Sequence, residues 1–206
     1  SAQIGVLTTA QVAAFTSRQI ASLDATDLGA LTTSQFAALT SAQTIAMTTA
    51  QFDTIATDDL AAIGATAFKG LGSDDIGLLD TAQFDALTTT QLAALTSGQA
   101  LGLTSAQLDV IGSDDLRALS TAAIRALTTD ALAALDSAQV GALTNAQVAA
   151  LSTTQVANLA TDDFDALSTA QFAALTSGQT AAITATQMDV IGTDDLAAIS
   201  TAALRA

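Results

Sequence analysis

The chain has 206 residues with 5 basic and 20 acidic side chains, a formal net charge of −15, and every acid is aspartate. Glu, His, Cys, Pro, Trp and Tyr are all absent, so the usual general bases, activated thiols and soft metal ligands are missing and an enzyme is not expected. A chain this acidic, with no basic stripe and no stacking Trp or Tyr, is repelled by phosphate backbones and anionic lipid, which sets aside nucleic acid and membrane insertion.

Half of the residues are apolar, yet alanine supplies much of that half and Phe numbers only seven, so the expected core is thin and aliphatic. Thr, Ser, Gln or Asp interrupts every apolar stretch, which leaves no run long enough for a membrane span. The chain opens inside its pattern at Ser1-Ala2-Gln3, so no signal peptide is expected. The lack of Cys permits any redox compartment and fits an exported protein.

From its first residues the sequence repeats with a period of eight. A partial unit, 1–7, leads into TTAQVAAF at Thr8 to Phe15; TTTQLAAL follows at Thr88 to Leu95 and TNAQVAAL at Thr144 to Leu151, and the chain closes on a partial unit, 200–206. Twenty-four full octads lie between the partial ones with no insertion, so 1–206 reads as a single continuous repeat array.

The eighth position is large and apolar throughout, including Phe15, Met47 and Ile111, and the fifth is Val, Ile, Leu, Phe or Met except at Thr44, Ala100 and Thr180. The first is Thr, Ser, Asp or Gly, with Ala only at Ala56 and Ala160, which is the preference of a helix N-cap. The fourth is Gln in sixteen units, Asp in six and Ala in four, so S/T-x-x-Q recurs as a capping box. Positions eight and five then fall at N′ and N4, the pair that forms a hydrophobic staple.

One unbroken helix is excluded by geometry, because eight residues leave about 80° of drift per unit and no constant apolar face survives. A β-solenoid fits poorly, since Ala and Gln fill each unit and β-branched residues do not alternate. The expected fold is all-α: an α-solenoid of very short helices, one per octad, stabilised by stacking because such helices cannot stand alone.

A longer order is superimposed on the octads. Blocks 24–71, 80–127 and 160–206 align, each continuing as FDTIATDDLAAI from Phe52, LDVIGSDDLRAL from Leu108 and MDVIGTDDLAAI from Met188. The block offsets, 56 and 80 residues, differ by 24, which points to about three repeats per coil if insertions come in whole coils. Against it, Phe36, Phe52, Phe68 and Phe84 recur every two units.

The residues that invite chemistry are the acid pairs Asp58-Asp59, Asp74-Asp75, Asp114-Asp115, Asp162-Asp163 and Asp194-Asp195. They are weak calcium candidates, being hard oxygen ligands, but no D-x-D-x-D-G loop accompanies them and they also fit N2 and N3 of a helix, where carboxylates favour the dipole. No cofactor is expected beyond that possibility of calcium. Threonine rows at positions one and two offer a regular hydroxyl surface, and the glutamine column offers either capping or amide stacking between coils. Lys69, Arg117, Arg125 and Arg205 share position six, with Arg18 at position three; they are either solvated or paired with Asp of a neighbouring chain.

The octapeptide L-[TS]-[TS]-x-Q-[VFIL]-A-A-L, seen at Leu31 to Leu39 and Leu143 to Leu151, resembles the long repeat tracts of large exported bacterial surface proteins and adhesins. The resemblance covers essentially the whole chain and implies an extracellular or cell-surface location with a structural or adhesive role. GATAFKGL from Gly64 departs from it by losing the Gln while keeping the apolar positions. The leading expectation is a structural protein, either an elongated stalk or the self-assembling subunit of a filament or surface layer. The alternative is a solenoid binding or adhesion module for a peptide, glycan or ordered surface. Ser1 lacks its cap and Ala206 its closing leucine, so open ends favour end-to-end homo-assembly, or mark a window from a longer array; the expected partner is the chain itself, by end-to-end or lateral assembly.

Overall fold

The computed structural model describes residues 3–203, and the described residues are helical throughout, with short corners and no strand. The partial first unit is described only from Gln3; Ser1 at one end and Arg205 and Ala206 at the other lie outside the described residues.

The chain divides into two compact units, 1–103 and 104–206, and the division falls on an octad boundary between Leu103 and Thr104. The first unit holds α1 (Thr9–Ala13), α2 (Ser17–Ala21), α3 (Ala25–Leu28), α4 (Thr33–Ala37), α5 (Ser41–Ala46) and α6 (Thr49–Phe52). It continues with α7 (Thr57–Ala62), α8 (Ala65–Phe68), α9 (Ser73–Leu78), α10 (Thr81–Asp85), α11 (Thr89–Ala94) and α12 (Ser97–Ala100). The second unit holds α13 (Ser105–Val110), α14 (Ser113–Ala118), α15 (Thr121–Ala126), α16 (Thr129–Leu132), α17 (Ser137–Ala142) and α18 (Asn145–Ala150). Its remaining helices are α19 (Thr153–Ala157), α20 (Thr161–Asp165), α21 (Thr169–Ala173), α22 (Ser177–Ala181), α23 (Ala185–Met188) and α24 (Thr193–Ala198).

Each helix starts where its octad says it should. The position-one residue, as Thr88 shows (φ −72, ψ 150), stands outside the helical region, and where it carries a side-chain oxygen that atom accepts the backbone N–H of the residue three further on. Each helix also stops without a breaker. In α11 the position-eight residue, Leu95, leaves the helical region (φ −54, ψ 129), and Thr96 follows extended (φ −80, ψ 161). Two consecutive extended residues thus turn the corner, and no residue among those described has a positive φ. This is how the array does without proline, and it requires no glycine in the left-handed region.

Within each unit, helix n packs on helix n+3: α1 on α4, α2 on α5 and so on to α9 on α12, then α13 on α16 through to α21 on α24. Three octads therefore make one coil, and each unit is an α-solenoid with three helices per turn. The two-octad spacing of Phe36, Phe52, Phe68 and Phe84 is reconciled by this geometry: it places them on α4, α6, α8 and α10, distributing the rings over all three sides of the coil. All four are fully buried. In the second unit Phe164 and Phe172, on consecutive helices, meet edge to face with centroids 5.3 Å apart.

Positions five and eight line the interior, from Leu60 and Ile63 to Val148 and Leu151, and burying each aliphatic side chain contributes about 1.5–3 kcal/mol. Phe15, also at position eight, is only half-buried. Met188 and Leu196 are exceptions at position five, 42% and 41% exposed on the last helices of the second unit.

The coils approach closely enough that some position-seven residues must lack a side chain. A Cβ on Gly102 would collide with the Ser73 carbonyl oxygen of the coil below, whereas one on Gly98 would meet nothing nearer than the Thr96 hydroxyl at 3.8 Å. Gly102→Ala is therefore expected to destabilise the protein by about 1–3 kcal/mol, and Gly98→Ala, within α12, to stabilise it by about 0.4–1 kcal/mol. Urea denaturation of the two variants beside the parent chain checks both signs.

Candidate functional site

The feature that recurs with the octad is a corner built on the position-four glutamine. Gln91, at the third residue of α11, is 1% exposed. Its Oε1 accepts the Thr88 backbone N–H at 2.8 Å and the Thr88 hydroxyl at 2.9 Å. Its own backbone N–H donates to Thr88 Oγ1 at 3.2 Å, which closes the capping box. Its Nε2 then donates to the carbonyl oxygens of Leu60 and Ile63, at 2.8 and 2.9 Å, at the end of α7 in the preceding coil. Both amide hydrogens and both oxygen lone pairs are used.

The same set repeats along both units. Gln43 donates to Val12 and Phe15, Gln51 to Ile20 and Leu23, and Gln83 to Phe52 and Ile55. In the second unit Gln139 donates to Leu108 and Ile111, Gln155 to Ile124 and Leu127, and Gln187 to Val156 and Leu159. The inter-coil contact is amide to carbonyl, 31 and 28 residues upstream in these cases and 30 and 28 at Gln171, rather than amide on amide. A capping box accepts Glu as readily as Gln, but a carboxylate facing two carbonyls has no proton to give. That distinction accounts for a sequence with many Gln and no Glu.

The five acid pairs fall where their octads place them, at N2 and N3. The first of each, Asp58, Asp74, Asp114, Asp162 and Asp194, is exposed; of the second, Asp59, Asp75, Asp115 and Asp195 are half-buried and Asp163 is buried. Three of the second carboxylates accept a position-two hydroxyl from the coil below: Asp59 from Thr33 (2.8 Å), Asp163 from Ser137 (2.8 Å) and Asp195 from Thr169 (2.6 Å). Asp75 instead accepts the Gly72 backbone N–H at 2.9 Å. The N-caps of these five helices are Ala56, Gly72, Gly112, Ala160 and Gly192, none of which has a hydroxyl. Cap and N3 residue therefore change together, Thr, Ser or Asp with Gln and Gly or Ala with this Asp. Among the described residues no three Asp side chains gather into a group that could hold a metal ion.

The hydroxyl rows are largely engaged. Those at position one cap their own helices, and at position two Ser17, Ser41 and Ser105 donate to the carbonyls of Ala42, Thr66 and Asp130 in the next coil, at 2.9–3.1 Å. Two of the position-six cations act in the same direction: Arg117 Nε donates to the Ala142 carbonyl at 2.9 Å and Arg125 Nη1 to that of Ala150 at 3.5 Å. Arg117 also lies 3.9 Å from Asp114, an ion pair too exposed to contribute much. In the first unit an open cleft of about 280 Å³ is lined by Thr49, Ala50 and Asp53 from α6 and its C-cap and by Leu78 of α9. No helix among the described residues is long and apolar enough to cross a membrane.

The sequence indicates both halves of the glutamine corner, capping and a link between coils, but stacking of amide on amide is not how the link is made: Nε2 donates to backbone carbonyls of the preceding coil. The signal available was the exclusive use of Gln over Glu at a position where capping alone tolerates either.

Replacing Gln91 by Ala leaves two buried carbonyls and one cap N–H without their donor or acceptor, an expected cost of about 2–3 kcal/mol in urea denaturation. Gln91→Glu is expected to cost more at neutral pH, because a carboxylate would face the Leu60 and Ile63 carbonyls. Since Asp59, Asp163 and Asp195 are engaged by hydroxyls of the coil below and Asp75 by the Gly72 N–H, calcium is expected to leave the melting temperature where a chelator leaves it; calorimetry with and without the ion checks this.

The profile of the ALTTAQ repeat matches residues 20–54, 52–89, 108–145 and 156–190, together well over half of the chain. A search of curated proteins found no match.

Proposed function

Because this chain belongs to the ALTTAQ repeat family, whose repeats tile it, we propose that it works as a structural repeat protein rather than as an enzyme. In this reading it is a stalk, or the self-assembling subunit of a filament or surface layer, outside the cell. The observation that carries the proposal is the uniformity of the glutamine corner. Where glutamine holds position four, the same side chain makes the same two bonds 31 and 28 residues upstream, as at Gln43 and Gln51 in the first unit and at Gln147, Gln155 and Gln179 in the second. A structure that spends its buried polar groups on joining one coil to the next is suited to holding distance and resisting tension, with length set by the number of coils.

Composition supports the rest of the reading. Without His, Cys, Glu or Tyr there is little to activate a substrate, and a net charge of −15 keeps an alanine-rich and leucine-rich chain soluble while disfavouring nucleic acid and anionic lipid. The repeat's likeness to tracts of exported surface proteins supports the extracellular setting, and the cysteine-free sequence suits it. The partner proposed is another copy of the chain, because a coil edge that presents glutamine amides complements one that presents carbonyls, a heterologous contact that propagates.

Electron microscopy of the purified chain at rising concentration tests this. Fibres of constant width identify a filament subunit, and monodisperse particles at every concentration identify a stalk. A saturable, stoichiometric ligand found on glycan or peptide arrays would replace both with a binding module.

A further inference from the structure

Three consecutive helices of the first unit, α7, α8 and α9, carry Asp59, Ala67 and Asp75 at position four. The helices before them, α4 to α6, carry Gln35, Gln43 and Gln51, and those after them, α10 to α12, carry Gln83, Gln91 and Gln99. One whole coil is thus joined to the coil below with none of the glutamine bonds that its neighbours make. By the common spacing, the carbonyls that go without are those of Leu28 and Leu31, Phe36 and Leu39, and Thr44 and Met47.

Two of the three sides of this coil have substitutes. Thr33 on α4 donates to Asp59 on α7 at 2.8 Å. On the next side, Thr44 on α5 donates to the Ala67 carbonyl at 2.7 Å and Ser41 to that of Thr66 at 2.9 Å. The third side, α6 against α9, differs. The residue that corresponds there to Thr33 is Thr49, and the carboxylate opposite it, Asp75, turns instead to the Gly72 N–H of its own helix at 2.9 Å. The cleft among Thr49, Ala50, Asp53 and Leu78 lies on this same side, and Leu78 is 53% exposed beside it.

We infer that the first unit carries a built-in seam, with α9 parting from α6 before any glutamine-joined coil opens. Two independent features coincide at that corner, the missing polar link and the gap in packing. Opening is coupled to fraying, because α9 is six residues long and, with only α12 left to stack on, a helix of that length keeps too little packing to hold its few internal bonds. The seam gives the coil stack a place of low local stability while Gln83, reaching from α10 to Phe52 and Ile55 on the other side of it, keeps α6 attached. The inference does not depend on the structural reading of the chain's function.

Hydrogen exchange followed by mass spectrometry on the full 206-residue chain tests it. After correction for intrinsic rates, amides of Ser73–Leu78 are expected to exchange about tenfold faster than those of Thr89–Ala94 in α11. Equal rates overturn the seam. The double variant Gly72→Thr, Asp75→Gln supplies a capping hydroxyl and an amide within the common reach of the Thr44 and Met47 carbonyls. It is expected to slow exchange in α9 to the level of α11 and to leave α11 unchanged. Asp75→Gln alone is expected to act in the same direction by a smaller factor. Unaltered exchange in α9 in both variants also overturns the inference.

Discussion

A helix of four to six residues is made entirely of ends. Its first four N–H groups and last four carbonyls have few partners within the helix, and burying them unpaired costs more than the helix returns. This constraint governs the whole of each unit. The position-four glutamine meets it by joining the start of one helix to the end of another four helices earlier. Gln91 does so for Thr88, Leu60 and Ile63 at once. The apolar interior at positions five and eight supplies the driving force for stacking, but the glutamine makes the stack tolerable to the backbone. Among the described residues no buried side-chain nitrogen or oxygen lacks a partner.

Departures from the glutamine are consistent with the same accounting. Where Asp occupies N3 with Gly or Ala as cap, the carboxylate cannot donate, and at Asp59, Asp163 and Asp195 the link runs the other way: a hydroxyl from the coil below, Thr33, Ser137 or Thr169, donates upward to it, whereas Asp75 turns to its own cap N–H. Where Ala67 occupies the position, Thr44 takes over by donating to its carbonyl. That pairing gives a physical reason for a polar residue at a fifth position otherwise filled by large apolar side chains. The acid pairs read as acid-rich helix starts serve the stack through their second member and solubility through their first.

The position-six cations and position-two hydroxyls add links of the same polarity, side chain below to carbonyl above, as from Arg117 to Ala142 and from Ser17 to Ala42. Such groups would read as surface decoration from composition alone. In each solenoid they lie 25 residues from their acceptors, one coil plus one residue, a separation that has meaning only once the coil contains three octads.

The sequence by itself determined the octad, the start of each helix, the apolar positions and the all-helical solenoid, because capping and staple preferences act over three or four residues and repeat on every unit. Its three-repeat coil came from block offsets, and the two-unit spacing of Phe36, Phe52, Phe68 and Phe84 spoke against it until their distribution over all three sides was visible. Only the tertiary structure decided where each glutamine amide ends, which Asp is spent and which is exposed, and why Gly102 must be glycine. Those outcomes depend on distances between residues 25 to 31 apart in the chain, set by the radius of the coil and the closeness of stacked backbones, and no local preference encodes them.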